Sequence, residues 1–228
     1  MAGKRPRTPR IEPLGDAAIL IVLGEQIDLD LNRRVHHLAE AVRELASSDP
    51  RFGAPIPAYA SVLVPVDPFE PGVEGGSAIL RDLTASTDQQ ALAPDADDGR
   101  LIEIPTRYGG DGGPDLAEVA ALHELTPRDV IDLHTSVEYG VYMLGFAPGF
   151  AYLGRVPEAI ATPRRETPRT TVPVGSVGLA GEQTGIYPFD SPGGWQLIGR
   201  TDVRMWDIGR DPPALLAPGD RVRFVPLR

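Results

Sequence analysis

The sequence predicts a two-part chain: an α+β N-terminal domain built as a ferredoxin-like sandwich, then a mostly-β domain built as an antiparallel barrel or sandwich. Three observations carry this. The first stretch reads strand, helix, strands, helix, the pattern of a small layered α+β unit. The segment "ALAPDADDGR" (91–100) then breaks that pattern with a proline, three aspartates and a glycine. After Glu138, short apolar stretches alternate with Gly and Pro to the end, which is the texture of closely spaced antiparallel strands. The expected boundaries are 10–93 for the first domain and 100–228 for the second, with a linker between.

Each element has its own justification. "AAILIVL" (17–23) is a buried strand. Leu31, Val35, Leu38, Val42 and Leu45 recur at helical spacing, and Asp28 or Asp30 can cap that helix. "PIPAYASVLVPVD" (55–67) reads as one or two strands, and 72–92 as a weaker helix carrying Ile79 and Leu83. "RLIEIPTRY" (100–108) opens the second domain as a strand. Asp115 with Glu118 fits a capping box for a helix over 116–124. Thr126, Pro127 and Asp129 do the same for a helix over 127–135.

Composition limits the chemistry. The chain has 228 residues, a formal net charge of −10 and no cysteine. An acidic protein is a poor partner for a phosphate backbone, so nucleic acid is not expected. Disulfides, thiolate metal sites and a cysteine nucleophile are excluded. Of 22 basic side chains only Lys4 is a lysine. The folded part therefore has no P-loop lysine, no Schiff-base amine and no attachment point for biotin. Lys4, Arg5, Arg7 and Arg10 read as a disordered basic end. Arg10, Glu12 and Asp16 interrupt any signal-peptide core, and no run is long enough to span a membrane. The expectation is a cytoplasmic protein.

Two segments concentrate glycine beside aromatic rings. "GFAPGFAYLG" (145–154) has no charge, and "GEQTGIYPFDSPGGWQLIGRT" (181–201) places Gln183 and Thr184 between glycines and Gly193-Gly194 before Trp195. A neutral amide and a hydroxyl at such turns suit a polar, uncharged ligand; tight barrel turns over a core tryptophan explain the same pattern. Arg164, Arg165 and Arg169 lie between prolines. Their guanidinium forks can hold a carboxylate or phosphate, or pair with Glu166 and nearby acids. Among the four histidines, His36 and His37 are a solvated pair on a helix and His123 is structural. His134 can move a proton near neutral pH, or it can simply end its helix. No hydrolase elbow, zinc-protease motif or dinucleotide fingerprint is present.

The segments "YMLGFAPGFAYLG", "ATPRRETPRTTVPVGSVGLAGEQTGIYPFDSPGGWQLIGRT" and "PPALLAPGDRVRFVPL", with "GGDGGPDLAEVAALHELTPRDVIDLHTSVEY" upstream and "LGDAAILIVLGEQIDLDLNRRV" at the start, closely resemble the 5-oxoprolinase B subunit family. That family is also called allophanate hydrolase subunit 1, or KipI-like. The resemblance covers about residues 10–228. It implies a cyclophilin-like barrel for the second domain and a partner, the homologous C subunit (allophanate hydrolase subunit 2, KipA-like). It also implies, with a third subunit, ATP-dependent hydrolysis of 5-oxoproline. The ATP belongs to the complex, since this chain has no P-loop. No metal and no biotin are expected on it. Urea- and allophanate-type substrates, and inhibition of a sensor histidine kinase, are alternatives within the same resemblance.

Mapped on such a barrel, the site would lie between 145–153 and 181–195. Phe146, Phe150 and Tyr152 would wall it, with Gly145 and Gly149 permitting the bends, and Phe150 and Tyr152 would stack on a flat ring. Gln183 and Thr184 would meet an amide edge, with Tyr187 and Trp195 beside them. Arg164 or Arg169 would hold a carboxylate, and His134 is the candidate general base.

Overall fold

The computed structural model of the chain describes residues 8–90 and 99–227. The chain divides into two compact units, 1–97 and 98–228. Most of the expected linker (91–98), Lys4, Arg5 and Arg7 lie outside the described residues.

The first unit comprises strands β1 (Arg10–Pro13) and β2 (Ala18–Val22), helix α1 (Leu29–Ser48), strands β3 (Ile56–Pro57) and β4 (Ser61–Pro65), and helix α2 (Gly72–Gln90). The sheet order is β1-β2-β4-β3, antiparallel throughout. Period-two alternation turns Ile19, Ile21, Val62 and Val64 inward, where they pack with Val35, Leu38 and Val42 of α1. Asp28 caps α1 by accepting from the Leu31 N–H at 2.9 Å. The tail expectation is corrected at Arg10. That residue opens the edge strand β1, where Glu12 and Glu25 pair with it at 3.1 and 3.0 Å. "RIEP" is short, polar and ends in proline, so it carries no strand signal of its own.

The second unit is a closed barrel in the order β10-β7-β6-β13-β5-β12-β9, plus a two-stranded ribbon of β8 and β11. The elements are β5 (Leu101–Tyr108), α3 (Leu116–Leu122), α4 (Pro127–Thr135), β6 (Tyr139–Leu144), β7 (Ala151–Gly154), β8 (Arg169–Val172), β9 (Ser176–Ala180), β10 (Gln183–Ile186), β11 (Ser191–Gly193), β12 (Gln196–Arg200) and β13 (Arg221–Pro226). One pairing departs from the antiparallel expectation: β13 lies parallel to β5, from Arg221 opposite Leu101 to Pro226 opposite Thr106. Asp220 ties the start of both strands. Its carboxylate accepts from Arg100 Nη2 at 2.6 Å and from the Ala217 N–H at 2.8 Å.

The barrel interior is filled by Ile104, Tyr139, Leu153, Val177, Leu179, Ile186, Ile198 and Phe224, and Val119 and Val130 of the two helices join that core. α4 starts as expected, with Thr126 and Asp129 satisfying each other's backbone N–H groups. α3 does not. Asp115 precedes it but makes no side-chain cap, because its carboxylate is used elsewhere.

Candidate functional site

Strand β10 decides which side of the barrel wall each predicted residue occupies. Thr184 and Ile186 point inward. Gly185 faces outward: a Cβ there would lie 3.0 Å from Trp195 and 3.2 Å from Phe150. A second apolar layer of Phe150, Val172, Ala180, Tyr187, Trp195 and Leu197 thus sits on the outer face of the barrel.

His134 belongs to the inside. It ends α4 fully buried, its ring 4.5 Å from that of Phe224. The Thr184 hydroxyl donates to the Gly178 carbonyl at 3.0 Å, so it accepts from His134 Nε2–H at 2.9 Å. Nδ1 is then the acceptor of the Tyr108 hydroxyl at 2.8 Å. Burial pushes the imidazole down to about 3, so it is neutral at physiological pH. The general-base expectation is corrected here: both nitrogens are engaged, and the ring has no route to a ligand outside the wall. Thr184 is buried with it and offers no hydroxyl to a ligand.

The outer layer is an edge-to-face aromatic cluster. Phe150 stands 4.9 Å from Tyr152, 5.4 Å from Tyr187, 5.5 Å from Trp195 and 5.4 Å from Phe146, centroid to centroid. Phe150, Tyr187 and Trp195 are buried, so Phe150, expected to stack on a ligand, is instead 2% exposed and enclosed by the other rings. These three rings form a floor. The accessible members are Tyr152, partly exposed, and Phe146, 62% exposed.

The 145–150 loop is a hydrogen-bonded turn. The Gly145 N–H donates to the Phe150 carbonyl at 3.1 Å and the Phe150 N–H to the Ala147 carbonyl at 3.0 Å. Left-handed backbone falls at Gly149 (φ 77°) and at Phe146 (φ 67°), not at Gly145. A Cβ on Gly149 would also lie only 3.0 Å from Trp206 Cβ and 3.1 Å from the Met205 carbonyl oxygen. A bulky aromatic in the left-handed region is strained and points to a functional constraint.

Gly193 has a different reason to be glycine: a Cβ there would lie 2.4 Å from the Tyr187 hydroxyl. That hydroxyl also accepts from the Trp195 backbone N–H, and burial raises its pKa.

The three arginines separate in role. Asp115, almost fully buried, accepts from Arg169 Nη2 at 2.6 Å and Arg165 Nη1 at 3.1 Å on one oxygen, and from the Leu197 N–H at 2.6 Å on the other. This is why it does not cap α3. Arg169, expected to hold a ligand carboxylate, binds this protein carboxylate through Nη2, while its Nη1 and the Nε of Arg165 are buried without a hydrogen-bond partner. Arg164 is exposed, and among the described residues it forms no ion pair. Its charge acts on the phenols of Tyr152 and Tyr187, opposing the upward push of burial on each. Gln183 is half-buried at the start of β10, opposite Gly154 of β7 and Ala180 of β9.

The structure therefore gathers Phe146, Tyr152 and Arg164 around the buried floor of Phe150, Tyr187 and Trp195, and sends His134 and Thr184 to the barrel interior. Sequence reasoning missed Asp115 as a site-building residue. Its partners lie 50 to 82 positions away, so its local signature is only that of a helix cap. Among the described residues no group of His, Asp or Glu is placed to hold a metal ion, and no helix is long and apolar enough to cross a membrane.

The chain is a member of the family described as "Carboxyltransferase domain, subdomain C and D", whose model matches residues 9–216. Within that class it belongs to the 5-oxoprolinase B subunit family. It is 45% identical to the 5-oxoprolinase B subunit of Bacillus subtilis (strain 168), over 95% of this chain and 92% of that protein. It is also 45% identical to the same-named protein of Escherichia coli O157:H7, over 93% and 94%. Among solved structures, TTHA0988 aligns with a TM-score of 0.77 and 38% identity, covering 93% of this chain. This chain spans 40% of that longer one. The urea amidolyase of K. lactis, at 23% identity and a TM-score of 0.73, shares the fold over 96% of this chain, which spans 15% of that protein.

Proposed function

We propose that this chain is the B subunit of an ATP-dependent amide hydrolase that opens 5-oxoproline, and that it is active only when assembled with a homologous C subunit and a third subunit. The observation that carries the reading is 45% identity, nearly end to end, with a curated 5-oxoprolinase B subunit. The folded part has no cysteine and no lysine, and its one buried histidine is locked in the barrel. Activation by ATP and attack on the amide are therefore assigned to the complex, with this chain contributing a ligand-binding surface. On that surface Phe146 and Tyr152 flank the ligand and Gln183 meets its amide edge. A urea-type substrate is the second reading, favoured by 32% identity to the urea amidolyase of Lachancea kluyveri over 58% of this chain.

The same reading takes the barrel as cyclophilin-like and the first unit as a ferredoxin-like sandwich whose fourth strand, β1, comes from the start of the chain. It places the linker between 93 and 100 and the complex in the cytoplasm.

The test is co-expression with the C subunit and the third subunit, followed by assay of 5-oxoproline hydrolysis with and without ATP. ATP-dependent turnover by the complex and none by the chain alone is the expected result. Hydrolysis of urea or allophanate in place of 5-oxoproline would select the second reading, and turnover by this chain alone would reject both.

A further inference from the structure

The way the arginine loop is tied down assigns its members different tasks. The Pro163 carbonyl accepts from Gln196 Nε2 at 3.2 Å, and the Arg165 N–H donates to the Gly194 carbonyl at 2.8 Å. Residues 163 and 165 are thus fixed against the chain on both sides of Trp195. Arg164, between them, is held at the edge of the aromatic floor with its side chain in solvent. The ties of Arg165 and Arg169 to Asp115 leave Arg164 as the loop arginine without an acidic partner among the described residues.

We propose that Arg164 is the specificity residue of this surface, admitting small ring compounds that carry a carboxylate, and that Asp115 sustains this selectivity by occupying the two neighbouring arginines. This rests on the ligand surface proposed above. A guanidinium held beside apolar rings suits a monoanion with a compact flat body. The ring meets Phe146 and Tyr152 while the carboxylate takes a two-point contact from the fork. Without Asp115, three arginines would compete for the anion in several geometries.

The experiment is ligand-observed NMR titration of the full chain with 5-oxoproline, 2-pyrrolidone (the same ring amide without the carboxylate) and benzoate. The variants are Arg164→Gln and Arg169→Gln. The wild type should bind 5-oxoproline about tenfold or more tighter than 2-pyrrolidone, the scale of one charge-assisted contact. Arg164→Gln should erase that preference with an unchanged melting temperature, because the side chain is exposed. Arg169→Gln should lower the melting temperature and keep the preference. Equal 5-oxoproline affinity in wild type and Arg164→Gln would overturn the inference while leaving the 5-oxoprolinase reading intact. Benzoate binding that depends on Arg164, without 5-oxoproline binding, would keep the carboxylate site and remove that reading's substrate. Binding of no carboxylate would overturn the inference.

Discussion

The imidazole of His134 and the hydroxyl of Thr184 meet at 2.9 Å inside the barrel, joining the end of α4 to the middle of β10. Both groups are fully buried. The pair is a structural pin, and its consequences are for stability before chemistry.

The pH dependence follows from the neutral state of this histidine. Its pKa is lowered in the folded protein to about 3 from an ordinary 6.5. Between those values the unfolded chain binds the proton and the folded chain does not. Stability is therefore full above about pH 6.5 and falls as the pH drops towards 3, by up to about 1.4 kcal/mol per pH unit. Denaturant unfolding of the wild type and His134→Gln at several pH values measures this. The variant should be less stable at pH 7 but lose less between pH 6 and 4. Parallel curves would mean that His134 titrates normally.

Phe146 carries left-handed backbone on an exposed ring. Phe146→Gly should relieve strain of about 1 kcal/mol or more, leaving the melting temperature level or raised. On the function proposed above, the same change should also weaken 5-oxoproline binding or raise its KM in the assembled complex. A clear drop in stability with normal binding would make the ring a packing residue instead.

Asp115 is the reverse case. Asp115→Ala leaves two guanidinium groups and the Leu197 N–H without their common acceptor. The expected loss is about 3 kcal/mol, read from urea unfolding. A loss under about 1 kcal/mol would show that the arginines simply turn to water.

Gly193→Ala would drive a methyl group into the Tyr187 hydroxyl, which is buried and cannot swing away. Overpacking of this kind costs about 1–3 kcal/mol. Tyr187→Phe in the same background removes the clashing oxygen and should recover part of the loss. No recovery would place the clash at the ring carbons Cε1 and Cζ, each 2.9 Å from that methyl group.

The barrel was legible in the sequence because its cause is local. Gly and Pro between short apolar runs force turns wherever they occur, and α4 announced itself with a complete capping box. The side of the wall on which a residue falls was less legible. His134, Thr184 and Gln183 share one polar-looking neighbourhood. Only the period-two alternation of β10, with Thr184 in and Gly185 out, separates core from surface. Applied to "QTGI", that rule alone would have moved Thr184 inside. Asp115 was not legible at all. A helix cap and a buried tie to distant arginines begin with the same residues, and only tertiary pairing distinguishes them.

The parallel seam of β5 and β13 sets the timing of assembly. Strand β5 leads the second unit, yet its partner along Leu101–Thr106 is the segment Arg221–Pro226, made about 120 residues later. On the ribosome the cylinder cannot shut until residues 221–226 emerge. Meanwhile β5 and β6 each wait with one bare edge, the condition in which strands find wrong partners. Asp220 stands where the seam begins, and its grip on Arg100 ties the starts of the two strands together. Loss of β13 would therefore leave β5 and β6 each without a neighbour on one side, and the cylinder open along that seam.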